Sequence, residues 1–212
     1  MNQPLTLYGA RGSGAVAVEA TLLLVGQPYR VIDSFDWSGA PADGEKVLAA
    51  NPMRQVPALV LPSGEVMTES AAILIWLAEQ HPERRLAPPP GDPLRAQFLR
   101  WMSFVSAAIY SLYWVKDDPS RLAPDPAAQP ALEARALDRI ADCWRMMGEQ
   151  VSPGRYILGD ELSVLDLYVA VVSRFRPRRE RFYTEAPNLE AAIKRVDDDP
   201  RLKALWAERM DA

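Results

Sequence analysis

Glu69 and Ser70 stand side by side at the start of a predicted helix, where they could hold the two charged groups of an amino acid. The unpaired backbone N–H groups of a helix N-terminus, with the Ser70 hydroxyl beside them, favour a carboxylate or a phosphate. The Glu69 carboxylate could pair with an ammonium group. Because an amino-acid head group carries both charges, this pair predicts a receptor for one. The structural alternative is that Thr68, Glu69 and Ser70 only cap the helix.

Pro57 precedes a predicted strand, ALVL (58–61), at a position where a strand would normally donate a backbone hydrogen bond. Proline has no backbone N–H, so the sequence predicts that one side of this strand is an open edge. The N–H and C=O of Val56 would then be free to pair with an extended peptide. A cis bond between Val56 and Pro57 would fix this geometry.

The composition limits which other chemistry is available. The chain has 212 residues, 49% apolar and 25% charged, with a net charge of −4 and a pI near 5.2. This charge disfavours binding to the phosphate backbone of nucleic acids. The one cysteine excludes an internal disulfide and a CxxC motif, and the one histidine, His81, excludes a histidine-rich metal site. No secretory signal pattern is present, and the longest uncharged run, residues 101–115, is shorter than the ~20 residues of a membrane span. We therefore expect a soluble cytoplasmic protein without nucleic-acid, membrane or metal partners.

The first eighty residues alternate strand and helix patterns. A helix that ends at Gly26 separates the first two strands, so these strands should be parallel. Pro62, Ser63 and Gly64 predict a hairpin between the third and fourth strands. The predicted order is strand 5–8, helix 14–26, strand 27–32, a helix around 41–51, strands 58–61 and 65–67, and helix 68–80.

A proline-rich segment, 81–93, follows, and after it the strand patterns end. We place one domain at 1–80, a linker at 81–92 and a second domain, all-helical, at 93–212. The second domain is predicted to contain helices at 93–116, 131–151, from Ser163 onward, 188–198 and 201–210. Ser163 and Asp166 form a capping-box pattern, which is a folding element. The arginine-rich segment 174–182 is predicted to be a solvated loop after a helix that Pro177 ends.

The segment NPMRQVPALVLPSGEVMTESAAILIWLAE (51–79), the order of elements and the all-helical second half are similar to the cytosolic glutathione transferases, and the resemblance covers essentially the whole chain. It implies a thioredoxin-like N-terminal domain (βαβαββα), an α/β unit, followed by an all-α domain, in a homodimer. It also implies that Pro57 is a cis-proline and that the Val56 backbone pairs with the cysteinyl part of glutathione. Glu69 and Ser70 would hold the γ-glutamyl end, and Gln55 belongs to the same binding set.

The resemblance implies an enzyme that binds reduced glutathione, stabilises its thiolate and conjugates it to a small hydrophobic electrophile. Ser13, at the predicted start of the first helix, resembles the activating residue of serine-type members, and Tyr8 resembles that of tyrosine-type members. A hydroxyl donor and a helix N-terminus both stabilise a thiolate. Ser13 is the first candidate. A plain cap for Ser13 and core packing for Tyr8 are the structural alternatives.

Two features leave the reaction class open. Gly14 stands where the bacterial beta-type enzymes carry a cysteine, so glutathione-dependent reduction of peroxides or disulfides lacks its sequence signature. The same architecture is also compatible with a glutathione-dependent isomerase or dehalogenase, and with a non-catalytic binding protein, because a fold does not fix a function.

The helix 93–116 is predicted to line the electrophile site. Ser103 and Tyr110 are seven residues apart, which corresponds to two turns of an α-helix, so they should share a face with Trp114. By resemblance this helix faces the sulfur of glutathione. The structural alternative is that the aromatic side chains belong to the core.

Overall fold

The computed structural model describes residues 4–37 and 44–210. In the first part of the chain the elements are β1 (Leu5–Gly9), α1 (Ala15–Val25), β2 (Tyr29–Asp33), α2 (Glu45–Leu48), β3 (Ala58–Val60), β4 (Val66–Met67) and α3 (Ser70–Gln80). The second part contains α4 (Arg95–Phe104), a π-helical segment (Val105–Tyr110), α5 (Ser111–Asp117), α6 (Gln129–Gln150), α7 (Val164–Val172), α8 (Arg178–Glu185), α9 (Glu190–Asp197) and α10 (Lys203–Arg209). Residues 41–43 of the predicted second helix lie outside the described residues.

The four strands form one mixed sheet in the order β2-β1-β3-β4. β1 and β2 are parallel, with Leu7 opposite Val31, and β3 is antiparallel to both β1 and β4. The parallel pair and the hairpin are therefore confirmed. Gly26, with a φ of 72°, ends α1 in the left-handed conformation that glycine adopts without steric penalty, also as expected.

The prediction that the third strand has an open edge is wrong. β3 lies between β1 and β4 and is hydrogen-bonded on both sides. Pro57 is compatible with this position because it lies one residue before β3, outside the ladder. Val56, the residue before it, also lies outside the sheet.

The side chains of β1 alternate between two environments. Leu5 and Leu7 are buried in the core, whereas Thr6 and Tyr8 on the opposite face are half-buried. Helix α7 is buried along its whole length and packs against α1, so it joins the two halves of the chain in one core. Burying a large apolar side chain contributes about 1.5–3 kcal/mol, which makes α7 a main source of stability.

The segment 81–92, which follows α3, packs against the second half of the chain. Leu86 is buried, and its carbonyl accepts a hydrogen bond from the Val164 N–H at 2.8 Å. Asp92 accepts from the Leu94 N–H at 2.8 Å, and α4 starts at Arg95, two residues later than expected. The domain boundary at 81–92 stays a prediction.

The Ser163–Asp166 capping box is confirmed. Asp166 is fully buried and accepts hydrogen bonds from the Ser163 N–H at 2.9 Å and the Ser163 hydroxyl at 2.7 Å. Its second carboxylate oxygen accepts from the Ile157 N–H at 2.8 Å. Asp166 therefore both caps α7 and fixes the turn that precedes it.

The arginine-rich segment is only partly a loop: residues 174–177 form a turn, whereas residues 178–182 belong to α8, so the loop prediction is wrong for the second part. Pro177 precedes α8 instead of only ending the previous helix, and Phe182 in α8 is buried. Arg179 packs its stem inward and pairs with Asp197 at 2.9 Å. Tertiary partners from α7 and α9 thus order a segment whose composition alone is typical of a surface loop.

Two findings concern membranes and metals. Within the ranges 4–37 and 44–210, no helix is long and apolar enough to cross a membrane. The same part of the chain contains no group of three or more His, Cys, Asp or Glu side chains arranged to hold a metal ion.

Candidate functional site

The Val56-Pro57 peptide bond is cis, as expected. The turn before it is held by Asn51, whose side chain donates to the Gln55 carbonyl at 2.9 Å and accepts from the Met53 N–H at 3.1 Å. Within the described part of the chain, the N–H and C=O of Val56 have no backbone hydrogen-bond partner. An extended ligand could therefore pair with this residue although β3 itself has no open edge.

The start of α3 presents an exposed carboxylate beside free backbone donors. Glu69 has a φ of 65°, a left-handed conformation that costs a non-glycine residue about 1–3 kcal/mol and that tends to persist at functional sites. Its side chain is exposed and makes no capping bond. In the described residues, the N–H groups of Ser70 and Ala71 have no acceptor. This arrangement suits an amino-acid head group.

The Ser70 hydroxyl already forms a hydrogen bond within the protein. Ser70 is 4% exposed and donates to the Tyr168 hydroxyl of α7 at 2.8 Å. An anion at this helix would thus be bound first by backbone N–H groups. Ser70 ties the start of α3 to the second half of the chain.

The five residues 10–14, which we call the β1–α1 loop, place Ser13 inside the protein. Ser13 is 4% exposed, and its hydroxyl donates to the Ala10 carbonyl at 2.7 Å and accepts from the Ala15 N–H at 3.2 Å. The hydroxyl hydrogen already has an acceptor. Ser13 in this conformation stabilises the start of α1, and it would have to rotate to donate to a ligand.

Tyr8 lies on the face of the sheet that is turned away from α1. A Cβ on the next residue, Gly9, would meet the Cβ of Ala15 in α1 at 3.1 Å, so position 9 faces that helix. Because side chains alternate along a strand, Tyr8 points to the other face. It is half-buried there.

Tyr110 reaches the start of α1 from the second half of the chain. Its hydroxyl oxygen accepts a hydrogen bond from the Gly14 N–H at 3.0 Å. A Cβ at Gly14 would overlap the Tyr110 hydroxyl and lie 2.7 Å from two ring carbons, so only glycine permits this approach. Burial raises the pKa of Tyr110 to about 12, which keeps the hydroxyl neutral at physiological pH. The hydroxyl oxygen accepts the Gly14 N–H, and the neutral hydroxyl keeps its own hydrogen as a donor.

Ser103 does not share a helix face with Tyr110. The segment Val105–Tyr110 is π-helical, and a π turn adds one residue, or about 100° of rotation, relative to an α-helix. The seven-residue spacing of Ser103 and Tyr110 therefore no longer gives a common face. Ser103 and Trp114 are exposed, and the Arg121 guanidinium lies 5.0 Å from the Trp114 ring.

Family models match both parts of the chain. The glutathione S-transferase N-terminal domain matches residues 15–80, and the glutathione S-transferase C-terminal domain matches residues 124–209. The chain belongs to the glutathione S-transferase family.

Individual relatives are similar over most of the chain. The chain is 32% identical to an uncharacterized GST-like protein, YncG, of Escherichia coli (strain K12), over 94% of this chain and 95% of that protein. It is 31% identical to maleylacetoacetate isomerase of Rattus norvegicus, over 79% of this chain and 76% of that enzyme. A solved structure of a glutathione transferase homologue from Sulfitobacter, with bound glutathione, has a TM-score of 0.84 at 25% identity and covers 98% of this chain and 99% of its own.

Two residues next to the candidate site were missed by sequence reasoning. Tyr168 binds Ser70, and Tyr113 is 6% exposed, with a hydroxyl that has no hydrogen-bond partner within residues 4–37 and 44–210. The Tyr113 ring packs edge-on against Tyr110 and Phe175, with ring centroids 6.1 and 5.4 Å away. The i, i+3 spacing of Tyr110 and Tyr113 was the one available signal. Tyr168 offered none, because its partner is 98 residues away.

Proposed function

We propose that this family member is a glutathione transferase that binds reduced glutathione and conjugates its sulfur to a small hydrophobic electrophile. The observation that carries the proposal is the Tyr110 hydroxyl at the N-terminus of α1, 3.0 Å from the Gly14 nitrogen. It places a neutral hydroxyl donor beside a helix N-terminus, and this is the environment that lowers the pKa of a thiol.

The peptide part of glutathione is proposed to lie between Val56 and the start of α3. The Val56 backbone pairs with the cysteinyl residue, and Gln55 lies next to it. The γ-glutamyl ammonium pairs with the exposed Glu69 carboxylate, and its carboxylate binds the free N–H groups of Ser70 and Ala71.

The thiol then lies at the β1–α1 loop, where Tyr110 donates a hydrogen bond to the sulfur. An unperturbed thiol has a pKa of about 8.5, so this bond increases the fraction of thiolate at neutral pH. The thiolate attacks the electrophilic carbon, a C–S bond forms, and the leaving group departs with its bonding electrons. The protein forms no covalent bond, because positioning both reactants supplies most of the rate increase.

A glutathione-dependent isomerase is the second candidate, favoured by the likeness to maleylacetoacetate isomerase. The thiolate would add to a double bond, the adduct would rotate, and the thiolate would leave again. Glutathione is not consumed in that reaction, so the loss of free thiol per product molecule distinguishes it from conjugation.

Glu69→Gln is expected to weaken the binding of reduced glutathione by about tenfold or more, because the ammonium group loses a charged partner worth ~1.5–3 kcal/mol. Isothermal titration calorimetry measures the affinity. Glu65→Gln is the matched control, since Glu65 is another exposed glutamate, four residues earlier in the hairpin, and it should bind as the wild type does. The absence of any binding heat with the wild type would refute the glutathione proposal. Equal affinities of the wild type and Glu69→Gln would refute the role of Glu69.

Tyr110→Phe is expected to lower the rate of conjugation to an activated aryl chloride by about 100-fold, because the thiolate loses its hydroxyl donor. The lower inflection of the pH–rate profile should also move to higher pH, since the thiol pKa rises. Ser13→Ala and Tyr8→Phe, measured beside it, should stay within about threefold of the wild type. If Ser13→Ala loses the rate while Tyr110→Phe keeps it, the donor is Ser13, as the sequence predicts, and the assignment to Tyr110 fails.

A further inference from the structure

An ion-pair network with a buried arginine joins α10 to the first half of the chain, where Glu19 is buried and Asp33 is exposed. The Arg209 guanidinium donates from Nε to Glu19 of α1 at 3.0 Å. Its two terminal nitrogens donate to the two carboxylate oxygens of Asp33, at the end of β2, at 2.8 and 3.2 Å. Arg209 and Glu19 are 4% and 3% exposed. A planar guanidinium bound in this way holds its two partners at a fixed separation and orientation.

The same residue contacts the β1–α1 loop through its backbone. The Gly12 N–H donates to the Arg209 carbonyl at 2.7 Å. This carbonyl is at the end of α10, where helix carbonyls lack an intrahelical donor. One residue earlier in the loop, the Arg11 carbonyl accepts from the Trp37 indole at 2.7 Å. The loop that leads to the proposed thiolate position is thus attached to residues that are remote in the sequence.

The charges of the network explain how a guanidinium can be buried here. Burial raises the pKa of Glu19 to about 7, against the lowering effect of Arg209, and Asp33 and Glu208 raise it further. Tyr29, whose own pKa is raised to about 12, faces the same carboxyl group. Burial thus favours the neutral form of Glu19, while the Arg209 guanidinium pairs directly with the Asp33 carboxylate.

We propose that Arg209 is a positioning residue for the thiol site. Its guanidinium, held by Glu19 and Asp33, sets the end of α10 so that the Arg209 carbonyl fixes Gly12 and the loop that runs to Gly14. The inference rests on the proposed function in one respect, that this loop is where the thiolate is held. Loss of the guanidinium should therefore lower kcat more than it changes the KM for glutathione, because the peptide-binding residues lie beside β3 and on α3.

Exchange of the Gly12 amide hydrogen, followed by nuclear magnetic resonance without glutathione, tests the positioning directly. In Arg209→Met, the exchange should be at least about tenfold faster than in the wild type. Arg201→Met is the matched control, because Arg201 forms a similar forked pair with Asp199 but does not contact the loop, and its Gly12 exchange should be unchanged. Arg209→Lys keeps the charge but cannot donate to both carboxylates in the same geometry. Its Gly12 exchange rate should be intermediate. If Arg209→Met does not fold, Arg209→Lys carries the test.

Steady-state kinetics distinguishes failure of the positioning role of Arg209 from failure of the proposed transferase function. In Arg209→Met, kcat for conjugation should fall about tenfold, with the KM for glutathione within about twofold of the wild type and partial recovery in Arg209→Lys. Wild-type Gly12 exchange in a folded Arg209 variant overturns the positioning role, whatever the activity. So does an unchanged kcat in an Arg209 variant of an active enzyme. If Gly12 exchange is fast in Arg209→Met but the wild type binds no glutathione, the positioning contact is supported. Only the proposed function is then refuted.

Discussion

Gly14→Ala is expected to lower the rate of glutathione conjugation by about 100-fold while the protein stays folded. The backbone at Gly14 has φ −62° and ψ −14°, a helical conformation that alanine adopts readily. The new Cβ would instead overlap the Tyr110 hydroxyl and lie 2.7 Å from two carbons of its ring. The tyrosine must move, and the proposed thiolate loses its donor, an effect of ~10²–10³ in rate for comparable donors. The measurement is kcat/KM for an activated aryl chloride.

A double-mutant cycle shows whether the loss acts through Tyr110. If it does, Gly14→Ala combined with Tyr110→Ala should be no slower than Tyr110→Ala alone, because the side chain that clashes is already absent. Far-ultraviolet circular dichroism and the thermal midpoint verify that each variant is folded. A Gly14→Ala protein with wild-type kcat/KM would contradict the catalytic role of this contact.

Asp166→Ala is expected to lower the free energy of unfolding by about 3–5 kcal/mol. It breaks the capping box and leaves the buried N–H groups of Ile157 and Ser163 without an acceptor, at ~1–3 kcal/mol each. Because α7 packs in the shared core, the loss should affect the whole chain. Urea unfolding followed by tryptophan fluorescence measures it.

Asp160→Ala is the matched control for this prediction. Asp160 lies in the preceding turn and accepts one hydrogen bond, from the Arg155 N–H at 3.2 Å, but it is exposed, so water can replace the lost acceptor. Its free energy of unfolding should change by less than about 1 kcal/mol. Equal effects of Asp160→Ala and Asp166→Ala would show that the buried cap has no special role in stability.

Much of the fold could be predicted because the signals lie within a few residues of each other. The apolar segments on either side of α1 predicted the parallel strands, and Gly26 marked the end of that helix. The spacing of Ser163 and Asp166 predicted the capping box, since a cap is made between neighbours in sequence. The neighbouring Glu69 and Ser70 likewise led to the proposal of a head-group receptor at the start of α3.

Other predictions needed distances that only the folded chain provides. The seven-residue spacing of Ser103 and Tyr110 assumed an α-helix throughout, and the π segment between them changed the face of Tyr110. Pro57 suggested an open strand edge, but β4 occupies that side of β3 and the proline lies before the ladder. The arginines of 174–182 suggested a loop, but residues 178–182 belong to α8, where the Arg179–Asp197 pair and the buried Phe182 hold them in place.

The sequence by itself determined the order and type of most elements, because local hydrogen-bonding and apolar periodicity encode them, and segment 51–79 carried the resemblance to the family. The tertiary structure decided that the Tyr110 hydroxyl also lies at the start of α1, beside Ser13. The Gly14–Tyr110 contact spans 96 residues and the Glu19–Arg209 pair spans 190. Contacts between such distant residues depend on how whole helices pack, and neither residue type nor spacing reveals them.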